Sequence, residues 1–133
     1  MLKIVIAAVL VGHGIGHSIG LLQLANVATV NPGWHGDSWL ITGLAGATPT
    51  HVIGGVLWAG SMVGFVALAA VVLGWLPGAW FAPLAIGSAV LSMVGLLLFP
   101  TAFPTSSTIG ALAVDVAVVA GAAWYQLLGS PAA

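Results

Sequence analysis

Residues 2–27 read LKIVIAAVLVGHGIGHSIGLLQLANV, and only Lys3 in that stretch is charged. A helix needs about 20 apolar residues, roughly 30 Å at 1.5 Å per residue, to cross the hydrocarbon of a bilayer. The stretch is long enough. Its apolar residues follow one another without the two-residue alternation of a barrel strand, so the pattern predicts a transmembrane helix. It also exceeds the 7–15-residue apolar core of a signal peptide. His13, His17 and Gln23 interrupt it, and no small-x-small cleavage site stands beside it, so a retained span is expected.

The rest of the chain has the same character. Of 133 residues, 61% are hydrophobic and 2% charged, the charges being Lys3, Asp37 and Asp115. A soluble domain carries about a quarter charged residues. One basic side chain excludes a nucleic-acid footprint and a polybasic lipid patch. The absence of cysteine excludes disulfides, thiolate chemistry and cysteine-ligated clusters.

Four spans are expected, at about 2–27, 50–73, 80–99 and 109–128, giving an all-α integral membrane four-helix bundle in a single domain, 1–133. Thr48 is a candidate cap for the second span, with Pro49 in its first turn. GWLPGAWFAP is a short turn, FPTAFPTSST a Pro- and hydroxyl-rich loop, and GSPAA a short tail. Trp75, Trp80, Phe81, Trp124 and Tyr125, and Phe99 and Phe103 at the third loop, mark span ends where headgroups meet hydrocarbon. Four spans put both ends on one side, and Lys3 suggests a cytoplasmic one, in a bacterial inner membrane. The loop 28–49 is longer than a turn and holds Trp34, His35, Asp37 and Trp39. It reads as a lid on the opposite surface, with Asp37 or Ser38 capping a short interfacial helix.

Polar side chains are few, so their depth is informative. His13 and His17 project about 40° apart on one helix face, one turn from each other. Gly12, Gly16 and Gly20 form a neighbouring stripe that lets a helix or a flat ligand approach. His17 should lie roughly 15 Å below the lid-side surface and Asp115 roughly 10 Å below it. His51 starts the second span near that surface. An ionisable group inside a span is costly and marks a functional site by default. The expected polar site is therefore His13, His17 and Asp115, with His51 at its rim. His35, Asp37 and Trp34 belong to the lid, and Gly16, Trp58 and Met62 to the pocket wall. Ser18 points about 100° away from His17, and Ser61, Ser88 and Ser92 read as interhelical hydrogen-bonders, so no nucleophile is expected.

His13-Gly14-x-x-His17 in the first span, with Trp58 in an apolar second span, resembles a broad group of short, uncharacterised bacterial four-span membrane proteins whose first helix carries His-Gly-x-x-His. The resemblance implies the four-span architecture and importance for His13 and His17. It implies no reaction.

Several chemistries suit these residues. Two imidazoles one turn apart can share a divalent metal, with His51 or Asp115 completing the set. The Glu of the His-Glu-x-x-His hydrolases is missing. A histidine beside glycines can also be an axial haem ligand. A His/Asp pair can bind a lipid, quinone or isoprenoid and move protons. The alternative is a structural accessory subunit, packed against larger membrane proteins or copies of itself. Both an enzyme and a protein without catalytic activity fit these residues.

Overall fold

The computed structural model describes residues 1–129; of the expected tail, residues 130–133 lie outside the described residues. The chain is all-helical, with 77% helix and no strand among the described residues. In order come α1 (Leu2–Gly16), α2 (Ser18–Leu24), α3 (Ile41–Ala45), α4 (Ala47–Leu73), a 3₁₀ turn (Gly78–Trp80), α5 (Phe81–Leu98) and α6 (Thr105–Gly129). Four segments are long and apolar enough to cross a membrane: Leu2–Leu24, Ala47–Leu73, Gly78–Leu98 and Thr105–Leu127. The protein is an integral membrane four-helix bundle.

The first span is not one continuous helix. The His17 N–H donates to Gly14 O at 3.1 Å, a one-residue-tighter bond that separates α1 from α2. Glycines at 12, 14 and 16 lower helix propensity just there. The second span begins earlier than expected. Gly46, at φ 85°, ends α3 and opens α4, so Thr48 is inside the helix rather than its cap. Pro49 still falls in the first turn, where a missing N–H costs nothing. At the other end Gly74 turns left-handed, with its N–H on Val71 O and the Trp75 N–H on Ala70 O, both at 2.9 Å. Those two bonds satisfy terminal carbonyls in a Schellman arrangement.

Close packing depends on glycines facing α4 or projecting from it. A Cβ on Gly14 would sit 3.0 Å from the Phe65 Cβ, and one on Gly64 would sit 2.7 Å from the Ser88 Cβ. Helix backbones in lipid associate through such small-residue contacts, because lipid tails offer no hydrophobic driving force. The stripe Gly12, Gly16, Gly20 divides differently from expectation. Only Gly20 touches another helix, through Trp58, whereas nothing lies within 4 Å of a Cβ at Gly12 or Gly16.

Two apolar clusters fill the bundle. Toward the chain ends are Leu10, Phe65, Leu68 and small alanines; toward the lid are Trp34, Leu57, Trp58, Leu96, Phe99 and Phe103. Phe99 and Phe103 are buried core residues and not interfacial anchors, because the lid covers them. Trp75, Trp80, Trp124 and Tyr125 are exposed at the end opposite the lid. α4 packs between α1 and α5, and α6 lies along α5. The seam between α6 and α1 stays open: apolar grooves run along it, and only 11% of the α6 window is buried, against 28% to 33% in the other spans.

The lid is stapled to the end of α5 and the loop after it. The Gln23 amide donates to Ala102 O at 2.9 Å, and its Oε1 accepts the Val30 and Asn31 N–H groups. Ser38 Oγ donates to Leu98 O at 2.7 Å, and the Trp39 indole donates to Leu97 O at 2.8 Å. The Leu97 and Leu98 carbonyls belong to the last turn of α5, which lacks intrahelical donors. Ser38 does help start α3, accepting the Ile41 N–H at 3.3 Å, although the helix is shorter than the SWLITGL segment suggests.

Candidate functional site

Between the two apolar clusters, α1, α5 and α6 each contribute to one polar chain. His13 Nε2 and Asp115 Oδ1 are 2.8 Å apart. The Ser92 hydroxyl donates to the other carboxyl oxygen, Asp115 Oδ2, at 2.6 Å. The Ser92 oxygen also lies 3.0 Å from His17 Nε2. The order is therefore His13, Asp115, Ser92, His17. Asp115 and Ser92 are fully buried, and His17 is 3% exposed. His13 and His17 meet edge to face, with ring centroids 5.0 Å apart, and the Phe65 ring packs 4.5 Å from His13.

Hydrogen counting restricts the tautomers. A hydroxyl has a single hydrogen. With Ser92 donating to Asp115, its contact with His17 requires an N–H at Nε2, which leaves a lone pair on His17 Nδ1. Among the described residues neither His13 Nδ1 nor His17 Nδ1 makes a hydrogen bond. Trp58 Nε1 is the one fully enclosed side-chain nitrogen or oxygen without a partner among those residues, so both Nδ1 atoms reach open space.

That space is the α1/α6 groove. It encloses about 430 Å³ and is lined by His13, His17, Gly12, Gly16, Ile19, Val30, Leu96, Phe103, Pro104, Ser107 and the α6 residues Gly110, Ala111 and Val114, with Val9 at its lower end. A second groove of about 400 Å³ continues along the same seam toward Phe81 and shares Val9 and Val114 with the first. Gly12 and Gly16 thus give the groove its depth.

The expected site residues fall into two groups. His13, His17 and Asp115 come together. His51 does not join them: it is on the far side of the lid-side cluster, where its ring fills the place a side chain at Gly36 would take. Gly36, at φ 89°, makes that approach achievable. Of the pocket-wall residues Gly16 lines the groove, but Trp58 and Met62 do not. Trp58 is fully buried under α2 among Trp34, Phe99 and Phe103, and Met62 supports the α1 contact at Gly14 through its carbonyl. In the lid, Trp34 is buried with its indole N–H on Asp37 O at 2.8 Å, while His35 and Asp37 are exposed.

Ser92 is the member that sequence reasoning left among ordinary hydrogen-bonders. Its signal was depth, because it sits mid-span on α5 as His13 and Asp115 do on theirs. The arrangement is not a nucleophile triad. There the base lies between hydroxyl and carboxylate; here the hydroxyl lies between carboxyl and imidazole, and Ser92 is sealed from the groove. Nor do three or more His, Asp or Glu side chains gather to hold a metal among the described residues. His51 is remote, and both Asp115 oxygens already have partners.

No family model, no curated protein and no solved structure matches the chain.

Proposed function

We propose that this protein binds a bilayer-soluble ligand in the α1/α6 groove, with the apolar body along the seam and a neutral polar group against His13 and His17. One observation carries the reading. A hydrogen-bonded His–Asp–Ser–His chain at mid-membrane depth leaves two imidazole nitrogens facing a lipid-accessible groove. Packing alone does not require four polar groups there, since each costs desolvation in hydrocarbon. The groove opens sideways, so a ligand can enter from the bilayer. Lys3 favours a cytoplasmic side for the N-terminal end, and the composition fits a bacterial inner membrane.

The test is extraction in lipid-preserving nanodiscs, followed by mass spectrometry of what co-purifies and by labelling with a long-chain photoreactive ketone. The expected label falls on α1 and α6, and Gly16→Leu, which fills the groove, removes it. The accessory-subunit reading is supported by the same exposed α6. A larger membrane protein crosslinked along α6, with labelling unaffected by Gly16→Leu, would establish that role instead.

A further inference from the structure

The polar chain has both of its ends in the same groove. A proton wire that served transport would open on opposite sides of the membrane. This one starts at His13 Nδ1, runs through Asp115 and Ser92, and finishes at His17 Nδ1, with the two rings only 5.0 Å apart. We propose that the chain is a closed acid–base relay that isomerises an enolisable, lipid-soluble carbonyl compound by moving a proton between two of its atoms. The inference rests on the groove being a ligand site.

The hydrogens can be placed in a net-neutral array. In one order His13 carries its hydrogen on Nδ1 and accepts at Nε2 from Asp115 Oδ1–H. Ser92 donates to Asp115 Oδ2, and His17 donates from Nε2 to Ser92. His13 Nδ1–H is then an acid and the His17 Nδ1 lone pair a base, side by side in the groove. When His13 Nδ1 gives up its hydrogen and His17 Nδ1 takes one, a shift of one hydrogen along each link leaves the reverse order on the same heavy atoms, with His17 as the acid and His13 as the base.

A β,γ-unsaturated ketone uses both orders. First, His17 Nδ1 takes a proton from the carbon between carbonyl and alkene. The C–H electron pair forms a new C=C bond, the carbonyl π pair takes the proton of His13 Nδ1–H, and a dienol results. Each link of the chain shifts one hydrogen. Second, the dienol O–H returns its proton to His13 Nδ1, the carbonyl reforms, and the terminal alkene carbon takes the proton now on His17 Nδ1. The product is the conjugated enone, and the chain is back in its starting order. No oxidant, reductant or other reactant is consumed. His13 and His17 are the catalytic residues, and Asp115 and Ser92 couple them.

The groove supports this substrate class. Its lining holds no acidic or basic group besides the two histidines, so a charged headgroup has no partner. The site lies mid-span, so the reacting group must tolerate hydrocarbon while still hydrogen-bonding. Apolar space on the chain-end side, past Val9 and Val114, accepts the tail.

The experiment uses the full chain in nanodiscs with a long-chain β,γ-unsaturated ketone in D2O. Conjugation is followed by ultraviolet absorbance, retention of the substrate's own hydrogen at the migrated position by mass spectrometry, and probe affinity separately by equilibrium dialysis. Wild type is expected to conjugate the probe. Ser92→Ala, which opens the chain, should lower turnover about 100-fold or more. His17→Gln, which keeps an N–H for Ser92 but offers no basic nitrogen, should do the same. Affinity should move less than about threefold in Ser92→Ala, whose hydroxyl does not reach the groove, a split that loss of structure would not produce. Ser61→Ala, whose hydroxyl only returns to Leu57 O, should behave as wild type. Wild type that binds the probe without conjugating it, or either variant turning over normally, would overturn the relay and leave ligand binding standing. Absence of any binding would overturn both.

Discussion

Gly12 and Gly20 belong to one stripe of the first span, yet alanine should act oppositely at the two. A Cβ at Gly20 would stand 2.6, 2.7 and 3.0 Å from Trp58 Cε3, Cδ2 and Cζ3, where ordinary contact starts at 3.4 Å. The neighbour must therefore yield about 0.8 Å. Trp58 has nowhere to yield to, being fully buried with Trp34, Phe99 and Phe103 at ring-centroid distances of 5.2 to 5.7 Å. Overpacking of this kind costs about 1–3 kcal/mol. At Gly12 nothing lies within 4 Å of the added methyl. Both substitutions gain about 1 kcal/mol of helix propensity. That gain cancels in the comparison, so the stability difference between Gly12→Ala and Gly20→Ala isolates the contact with Trp58. It should be about 1–3 kcal/mol in favour of Gly12→Ala. Equilibrium unfolding by sodium dodecyl sulfate in mixed micelles, followed by far-ultraviolet circular dichroism, measures it. Equal midpoints, or a less stable Gly12→Ala, would refute the packing of α2 on α4.

Asp115→Ala removes the common partner of His13 and Ser92 and leaves both without it, at about 1–3 kcal/mol each, so it should destabilise the bundle by about 2 kcal/mol or more in the same unfolding assay. Combining it with Ser92→Ala should cost less than the two single changes together, because they break one common bond. Gln23→Leu removes three hydrogen bonds that tie the lid to the loop after α5. At about 1 kcal/mol each, hydrogen exchange at the Val30 and Asn31 amides should accelerate while the spans stay protected. His51→Ala should loosen the lid near Gly36 but leave probe affinity in the groove unchanged by equilibrium dialysis, since His51 is outside the groove.

The sequence announced the fold through quantities that need no partner. Near-absence of charge and four apolar runs are sufficient for four spans, and Gly74 and Pro49 mark real helix ends. What it could not show was orientation around each helix axis. Trp58 and Met62 share a stripe with His51, yet one is core, one backs α1 and one meets the lid. The roles of Gly12 and Gly20 also depend on which helix each faces, and identical residues carry no such label. Asp115 and the two histidines were legible because an ionisable group in a span is rare enough to demand a partner. Ser92 was not, since a span serine is commonly satisfied by its own helix, as Ser61 and Ser88 are here.

The position of the polar chain has a consequence for the helix that completes it. α6 is the least buried span and packs mainly along α5, so the pairing of Asp115 with His13 is a polar tie across the open α1/α6 seam. The grooves on that seam meet at Val9 and Val114, one residue away from Asp115 on α6. A ligand that draws His13 Nδ1 toward itself must act on the ring whose other nitrogen holds Asp115, and through it on the distance between α1 and α6. Under the proposed ligand binding, occupancy of the groove and closure of the seam would be coupled through one imidazole. A tighter grip on the ligand would otherwise have needed a larger apolar contact between the two helices, and that contact would have closed the sideways entry. A polar tie at mid-depth joins the two helices while leaving the wall facing the lipid open.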